Sequence, residues 1–413
     1  MKEQKESIWS FPYIALMVVN LFQSMAAFMA NTTLPVYADT LGASPSVVGI
    51  VVSSFSVTAL LIRPFAGPAF DSFSRKRLLM ASQCIICACM FLYGVVDSLQ
   101  GLVIVRLVHG IGIGCSGPLA MSLVSEFLPE SRFASGISIY ALAQSFAQVV
   151  GPAAGLYLVN AIGFSPSYFL AAGCLLVAIC GVGLIREPYR ERLRYELKLD
   201  RMFAPEAVGK GVALMLLATS FSCMGAYVVL YGYSVGVSQM GVFFIVYAFC
   251  LLGTRPLFGS MADRFGAPRM LAVGIAFFAA SYVALAVADN LVAFIIAAIL
   301  GSAGFGCCGP LLQSAALASV PPSRRGAASN TAFTGLDLGM LIGPIIGGMV
   351  IEAATPILGS QPEAYSLMWL ARHRRLSDCL ALESTASAGY DIVALLAGIS
   401  HIGHFCASRR ILD

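Results

Sequence analysis

Arg63-Pro64-Phe65-Ala66-Gly67-Pro68-Ala69-Phe70-Asp71 returns 192 residues later as Arg255-Pro256-Leu257-Phe258-Gly259-Ser260-Met261-Ala262-Asp263. The same offset carries Gly49 onto Gly241, Gly112 onto Gly304, Gly114 onto Gly306 and Gly117-Pro118 onto Gly309-Pro310. It also carries Arg132 onto Arg324, Gly151-Pro152 onto Gly343-Pro344 and Gly155 onto Gly347. Independent coincidences would need different offsets, so one offset held over roughly a hundred residues means two structural copies laid end to end. In a membrane such copies make two half-bundles that rock about a central site.

The solvent is lipid. Hydrophobic residues form 58% of the chain and charged ones 11%, with mean hydropathy +0.84. No soluble fold of 413 residues hides that much apolar surface. Apolar runs near residues 11–37, 45–68, 78–97, 101–125, 134–160 and 166–185 are each long enough to cross the bilayer as a helix. A second set follows near 210–235, 238–260, 269–288, 291–317 and 326–351. The alternating pattern of a barrel strand is absent, so the expected class is an all-α membrane protein. Its predicted parts are a six-helix bundle over 1–185, a linker over 186–209, a second bundle over 210–370 and a tail over 371–413.

Lysine and arginine set the orientation. With the amino terminus in the cytoplasm, the inner loops up to residue 363 hold 17 of them, and the outer loops hold none. The outer loops carry Asp39, Asp97, Asp289, Glu352 and Glu363 instead. The linker mixes Arg190, Arg192, Arg194 and Lys198 with Glu187, Glu191 and Glu196, the pattern of an amphipathic or solvated connector at the lipid surface. The first apolar run is too long for a cleavable signal and continues into Asn31-Thr32-Thr33. Twelve cysteines fall almost wholly in the spans, and Cys84-x-x-Cys87 has no second pair or histidine beside it, so packing is expected rather than metal.

The tail breaks the pattern. A twelfth span begins suitably at Ala364-Tyr365-Ser366-Leu367-Met368-Trp369-Leu370 and then meets Arg372-His373-Arg374-Arg375. Each arginine near a helix centre costs about 2.5–3.5 kcal/mol of insertion energy. The twelfth helix is therefore doubtful, and residues 371–413 read as a frame-shifted continuation, which would impair the chain.

Gly67-x-x-x-Asp71 is followed by Ser72-Phe73-Ser74-Arg75-Lys76-Arg77, and Gly259-x-x-x-Asp263 by Arg264-Phe265-Gly266. Over residues 11–370 the chain resembles the major facilitator superfamily, whose signature joins helices two and three, and eight and nine, in this way. Ser72 stands where arginine is usual and Ser74 where glycine is usual. The glycines permit close helix approach, and the aspartates end their helices where a basic residue or a helix amino terminus can meet them. Gly67, Asp71, Arg75, Gly259, Asp263 and Arg264 are thus the candidate cytoplasmic gate.

Arg106-x-x-x-Gly110-x-Gly112-x-Gly114-x-x-Gly117-Pro118 resembles the fourth-helix motif of the superfamily, whose arginine is implicated in proton handling. Its second-copy counterpart is Ala298, so Arg106 belongs to one half only. His109, one turn on, is either a relay or a packing histidine. Asp337, opposite Ser145 in the first copy, is the one carboxylate near mid-membrane up to residue 363. An isolated acid in hydrocarbon is a candidate for carrying a proton, the alternative being an interhelical ion pair. Its surroundings resemble the glycine-proline hinge of drug–proton antiporters, with Gly151, Pro152, Gly343 and Pro344 as hinge residues. Arg63 and Arg255, matched in both copies, are expected to snorkel or to cap carbonyls freed by the following proline.

By analogy with the superfamily, helices one, five, seven and eleven line a cavity. Asn20, Gln23, Gln144, Gln148, Tyr227, Tyr231, Asn330 and Thr334 are the polar candidates there, each as able to bond a neighbouring helix as a ligand. They point to a weakly polar, cationic or zwitterionic cargo. The functional expectation is a secondary transporter of a small molecule, working by proton-coupled efflux. The alternatives are an uptake permease, or a non-transporting protein because of the tail. No phosphate-binding loop of an ATP-driven pump is present, and no nucleophile–base pair or metal cluster marks an enzyme. The expected setting is the inner membrane, as a monomer with its amino terminus in the cytoplasm. No cofactor, metal or nucleic acid is expected, and the proton gradient supplies energy.

Overall fold

The structure, a computed structural model, describes residues 8–129, 133–187, 203–321 and 325–370. The first six helices are α1 Phe11–Thr40, α2 Pro45–Ser72, α3 Arg75–Tyr93, α4 Leu99–Glu126, α5 Phe133–Ile162 and α6 Phe164–Gly183. After a 3₁₀ turn at Pro205–Ala207 come α7 Val208–Ser234, α8 Gly241–Phe265, α9 Ala267–Ala286, α10 Leu291–Ala318 and α11 Arg325–Leu358. A further helical segment, α12, runs over 361–370. Among the described residues there is no strand. Ten of the helices are long and apolar enough to cross a membrane, and α8 has a shorter apolar stretch, Gly241–Thr254, before Arg255.

Local chemistry sets the helix ends. The Ser98 hydroxyl accepts from the Gly101 N–H at 3.3 Å to start α4, and the Asn290 side chain accepts from the Ala293 N–H at 3.0 Å to start α10. Position 74 and its repeat partner 266 solve one turn in two ways. Ser74 starts α3 by accepting from the Arg77 N–H at 3.2 Å, whereas Gly266 turns the chain into α9 with φ 89°. The serine that departs from the signature therefore replaces a backbone turn with a side-chain cap.

Within the first half α1 packs on α5 and α6, α2 on α4, and α3 on α4 and α6. Within the second, α7 packs on α11, α9 on α10, and α10 on α8. Small residues make this closeness possible. A Cβ on Gly110 would collide with the Phe55 carbonyl and the Thr58 side chain of α2. The halves meet chiefly through α2 against α11 and α5 against α8, two contacts that exchange under the 192-residue repeat. The bundle has a basic face, holding Arg75, Lys76, Arg264 and Arg269, and an acidic face, holding Asp39, Asp97, Asp289 and Glu352.

The start of the twelfth helix forms and packs. Tyr365, Met368 and Trp369 are buried, and the Ser366 hydroxyl lies 3.2 Å from the Tyr231 hydroxyl on α7. The arginine cluster and the frame-shift reading fall on 371–413, outside the described residues, as does most of the charged linker, 188–202.

Candidate functional site: a cavity between the two halves

A cavity with an empty volume of about 780 Å³ lies where the halves meet. From the first half, α1 lines it with Phe28, Asn31 and Thr32, α2 with Val52 and Phe55, and α5 with Gln148 and Pro152. From the second, α7 contributes Phe221, Ser222 and Met224, α8 contributes Phe243, Phe244 and Tyr247, and α11 contributes Met340. The wall is mostly apolar, with six aromatic rings and two thioethers, a surface that adapts to flat apolar molecules, and no charged side chain is among the described residues that line it.

Toward the acidic face the cavity is roofed by backbone contact between the halves. A Cβ added at Gly49 on α2 would lie within 3 Å of the Pro344 carbonyl and the Tyr227 hydroxyl. One at Gly348 would strike the Pro45 carbonyl. The buried Tyr227 hydroxyl, from α7, is shared between the carbonyls of Pro45 on α2 (2.8 Å) and Pro344 on α11 (2.7 Å). Above it Glu352 of α11 accepts from the Ser44 hydroxyl at 3.1 Å and the Ser46 N–H at 3.3 Å. Ser44 makes no cap of its own, so a carboxylate of one half caps the amino terminus of a helix in the other.

Toward the basic face the halves are bridged by charge. Arg63 of α2 donates through Nε to Asp337 of α11, and its guanidinium lies 5.5 Å from the Phe333 ring centroid. Asp337 is three residues, about one turn, from the cavity-lining Met340. The side chains are 17% and 7% exposed, so the pair is held largely out of solvent. Arg63 therefore does not serve the proline-freed carbonyls expected of it. A charge on another half outbids neutral carbonyls in a low-dielectric site. The side chain of its repeat partner, Arg255, is outside those described.

Behind the α1–α2 wall sits Arg106, fully buried. Its Nη2 donates to the Asn31 side-chain oxygen at 2.7 Å and the Val52 carbonyl at 2.9 Å, and its guanidinium lies 4.7 Å from the Phe55 ring centroid. His109 is also buried, with Nδ1 3.0 Å from the Tyr93 hydroxyl. Among the described residues Arg106 Nε and Nη1 and His109 Nε2 make no hydrogen bond of good geometry, and the Tyr93 hydroxyl is the group beside the guanidinium.

On the basic face Arg75 pairs with Glu126 of α4 at 2.6 Å. Glu187 accepts from the Arg75 N–H at 2.7 Å and from the Ser74 hydroxyl, closing the start of α3 against the end of α6. The side chains of Asp71 and Asp263, and the surroundings of Gly67 and Gly259, are outside those described. Arg264 is exposed, its guanidinium 5.4 Å from the Phe265 ring centroid.

Of the polar residues expected in the cavity, Gln148 lines it, and the hinge residue Pro152 lies beside it. Asn20 instead donates to the Tyr140 carbonyl at 3.1 Å, while Gln23 donates to the Ser116 hydroxyl at 2.6 Å and accepts from Gln83. Tyr231 donates to the Ala288 carbonyl at 2.9 Å, and Thr334 to the Asn330 carbonyl at 2.8 Å. Gln144 is exposed. Gly151 and Gly343 permit close contacts within each half, the first against Phe28 and Met25 and the second against Thr219 and Ser222. Asn31, which was not among the polar candidates read from the sequence, is both a wall residue and the partner of Arg106. Among the described residues no group of three or more His, Cys, Asp or Glu could hold a metal ion.

The chain is 24% identical over 354 residues to Multidrug resistance protein 1 of Bacillus subtilis, covering 82% of this chain and 90% of that one. It is 22% identical over 328 residues to Quinolone resistance protein NorA of Staphylococcus aureus, covering 77% and 84%. Its fold matches the crystal structure of the nucleoside transporter NupG with a TM-score of 0.74 at 14% identity, covering 91% of this chain and 98% of that one. A family model described as Major Facilitator Superfamily matches residues 16–234 and 210–358, and the chain belongs to that superfamily: it is a multi-pass membrane transporter of small molecules and not an enzyme.

Proposed function

We propose that this transporter exports its cargo in exchange for protons, by alternating access, from a cytoplasmic membrane in which its basic face and amino terminus are inside. It works as a monomer without a cofactor. The rocking units are residues 1–185 and 210–370, joined by the linker 186–209, and the hinges are Gly151-Pro152 and Gly343-Pro344. The orientation rests on the lysine and arginine asymmetry of the loops. Export rests on the multidrug and quinolone resistance relatives.

The observation that carries the proton coupling is the Arg63–Asp337 bridge. It joins the halves one turn from the cavity, and Asp337 is the only carboxylate at that depth among the described residues. The conformation closed at the acidic face is the one that has released its proton inward, because Asp337 is ionised in the hold of Arg63. Cargo then enters the cavity and the halves rock. Rocking shifts α11 against α2 and so parts Arg63 from Asp337, and the carboxylate, without its counter-charge in a low-dielectric site, takes a proton from outside. The return stroke carries that proton inward, where Arg63 displaces it. Arg106 and His109 lie behind the cavity wall and tune this exchange. Arg75, with Glu126 and Glu187, and the Gly67–Asp71 and Gly259–Asp263 motifs with Arg264, latch the cytoplasmic side.

Inverted vesicles with an acidic lumen test the reading. They should accumulate at least one member of a panel of fluorescent aromatic probes, and a protonophore should abolish the accumulation. Accumulation indifferent to the protonophore would refute proton coupling.

A further inference from the structure

The charges around the cavity do not cancel, and their imbalance bears on the cargo. Asp337 is matched by Arg63, so that pair contributes little net field. Arg106 has no such match. Its hydrogen bonds go to an amide oxygen and a backbone carbonyl, and its remaining close neighbour on the wall is the Phe55 ring. The groups facing it from the other side, Cys89, Tyr93, His109 and Tyr168, include no carboxylate. A full positive charge thus lies one residue behind a wall that carries no acid, where low dielectric lets its field reach the cavity.

The hydrogen-bond chemistry gives that field a contact point. Arginine has donors and no acceptor, so the Asn31 atom that meets it must be the carbonyl oxygen. The Asn31 NH₂ is thereby fixed on the opposite side of the amide. Two neighbouring hydroxyls on the wall spend their hydrogens on backbone: Thr32 donates to the Phe28 carbonyl at 3.0 Å, and Ser222 to those of Thr219 and Gly339. Asn31 shares the wall with Gln148 and Tyr247, and it is the donor held in place and polarised from behind by a cation.

We infer that the cavity takes an aromatic cargo bearing an anionic, hydrogen-bond-accepting group, which docks on the Asn31 amide with the Arg106 charge behind it. The aromatic body packs on Phe55, Phe221, Phe243 and Phe244. This is the opposite sign from the cationic or zwitterionic cargo that the sequence led us to expect. It rests on the cavity being the cargo site. It also suits export in exchange for protons: an anion leaving and a proton entering both move with a membrane potential that is negative inside.

The test is equilibrium binding to the purified full chain, followed by naphthalene fluorescence. Three ligands share one ring system: naphthalene-2-sulfonate, naphthalene-2-sulfonamide and (2-naphthylmethyl)trimethylammonium. The sulfonate should bind about tenfold or more tightly than the ammonium ion, as a charge-assisted contact warrants, with the sulfonamide between them. Asn31→Leu, which keeps the volume and loses the donor, should shrink the preference to about threefold or less. Asn31→Asp, which places a carboxylate against Arg106, should reverse it. Tighter or equal binding of the ammonium ion by the unaltered chain overturns the inference, as does a preference that survives unchanged in both variants. No gradient is present, so the outcome is independent of proton coupling: flux can lose its dependence on the gradient while the charge preference stands, and the reverse.

Discussion

Gly49 and Gly241 occupy the same position in the two copies, yet a methyl group should be tolerated at one and not at the other. At Gly49 an added Cβ would fall within 3 Å of the Pro344 carbonyl and the Tyr227 hydroxyl, and a backbone carbonyl between two packed helices has nowhere to go. At Gly241 the nearest atom, the Ala153 Cα, is 4.0 Å away, an ordinary contact. Overpacking a close interface costs about 1–3 kcal/mol. The clash exists only while α2 and α11 are closed at the acidic face, so Gly49→Ala penalises that conformation alone. The penalty shifts the balance toward the acidic-face-open conformation by about 5–150-fold. Spin labels at Asp97→Cys and Asp289→Cys, on exposed acidic-face loops of the two halves in a background without native cysteines, report the change as a second, longer distance. Gly241→Ala should leave the distance distribution as it was. Identical distributions for both alanine variants would refute the reading of the roof as a closed gate.

Other perturbations follow the same geometry. Tyr227→Phe removes the hydroxyl that serves the Pro45 and Pro344 carbonyls and should destabilise the closed roof by about 0.5–1.5 kcal/mol, read by the same label pair. Glu352→Gln should shift the distances in the same direction, because a neutral amide caps the α2 amino terminus more weakly than a carboxylate. Acidifying the medium until Glu352 protonates should mimic that variant in the unaltered chain and have no further effect in Glu352→Gln. Arg63→Met and Asp337→Leu should each lower stability by about 3–5 kcal/mol by leaving a buried charge unpaired, whereas the double variant should recover most of the loss. Additive losses in a double-mutant cycle of denaturation midpoints would show that the pair does not act as a unit.

The architecture was legible because repeats and apolar runs are local signals. The 192-residue offset placed both copies, and every span read from the sequence became a helix. The cavity was harder, and the reason is depth more than helical phase. Asn20 and Asn31 lie eleven residues apart, close to three full turns, so they share a face of α1 but differ by about 16 Å in level. The lower residue meets Tyr140 within its own half, and the upper one meets the cavity and Arg106. Tyr227 lies between the cavity-lining Ala226 and Val228 in sequence, but its hydroxyl reaches the Pro45 and Pro344 carbonyls, where it becomes part of the roof. The Arg63–Asp337 bridge spans 274 residues, and no periodicity in one chain pairs residues across two bundles. Asp337 was conspicuous as a lone acid in hydrocarbon. Its partner was hidden by a symmetry that invited one role for Arg63 and Arg255.

The central claim is that Asp337 carries the proton that exchanges with cargo. Reconstituted vesicles separate the two fluxes: uphill movement of a transported probe driven by a proton gradient, and probe-for-probe exchange without one. Asp337→Asn cannot release a proton, so it should abolish uphill transport while leaving exchange at a substantial fraction of the unaltered rate. Uphill transport that persists in Asp337→Asn, with undiminished proton entry, would contradict the account.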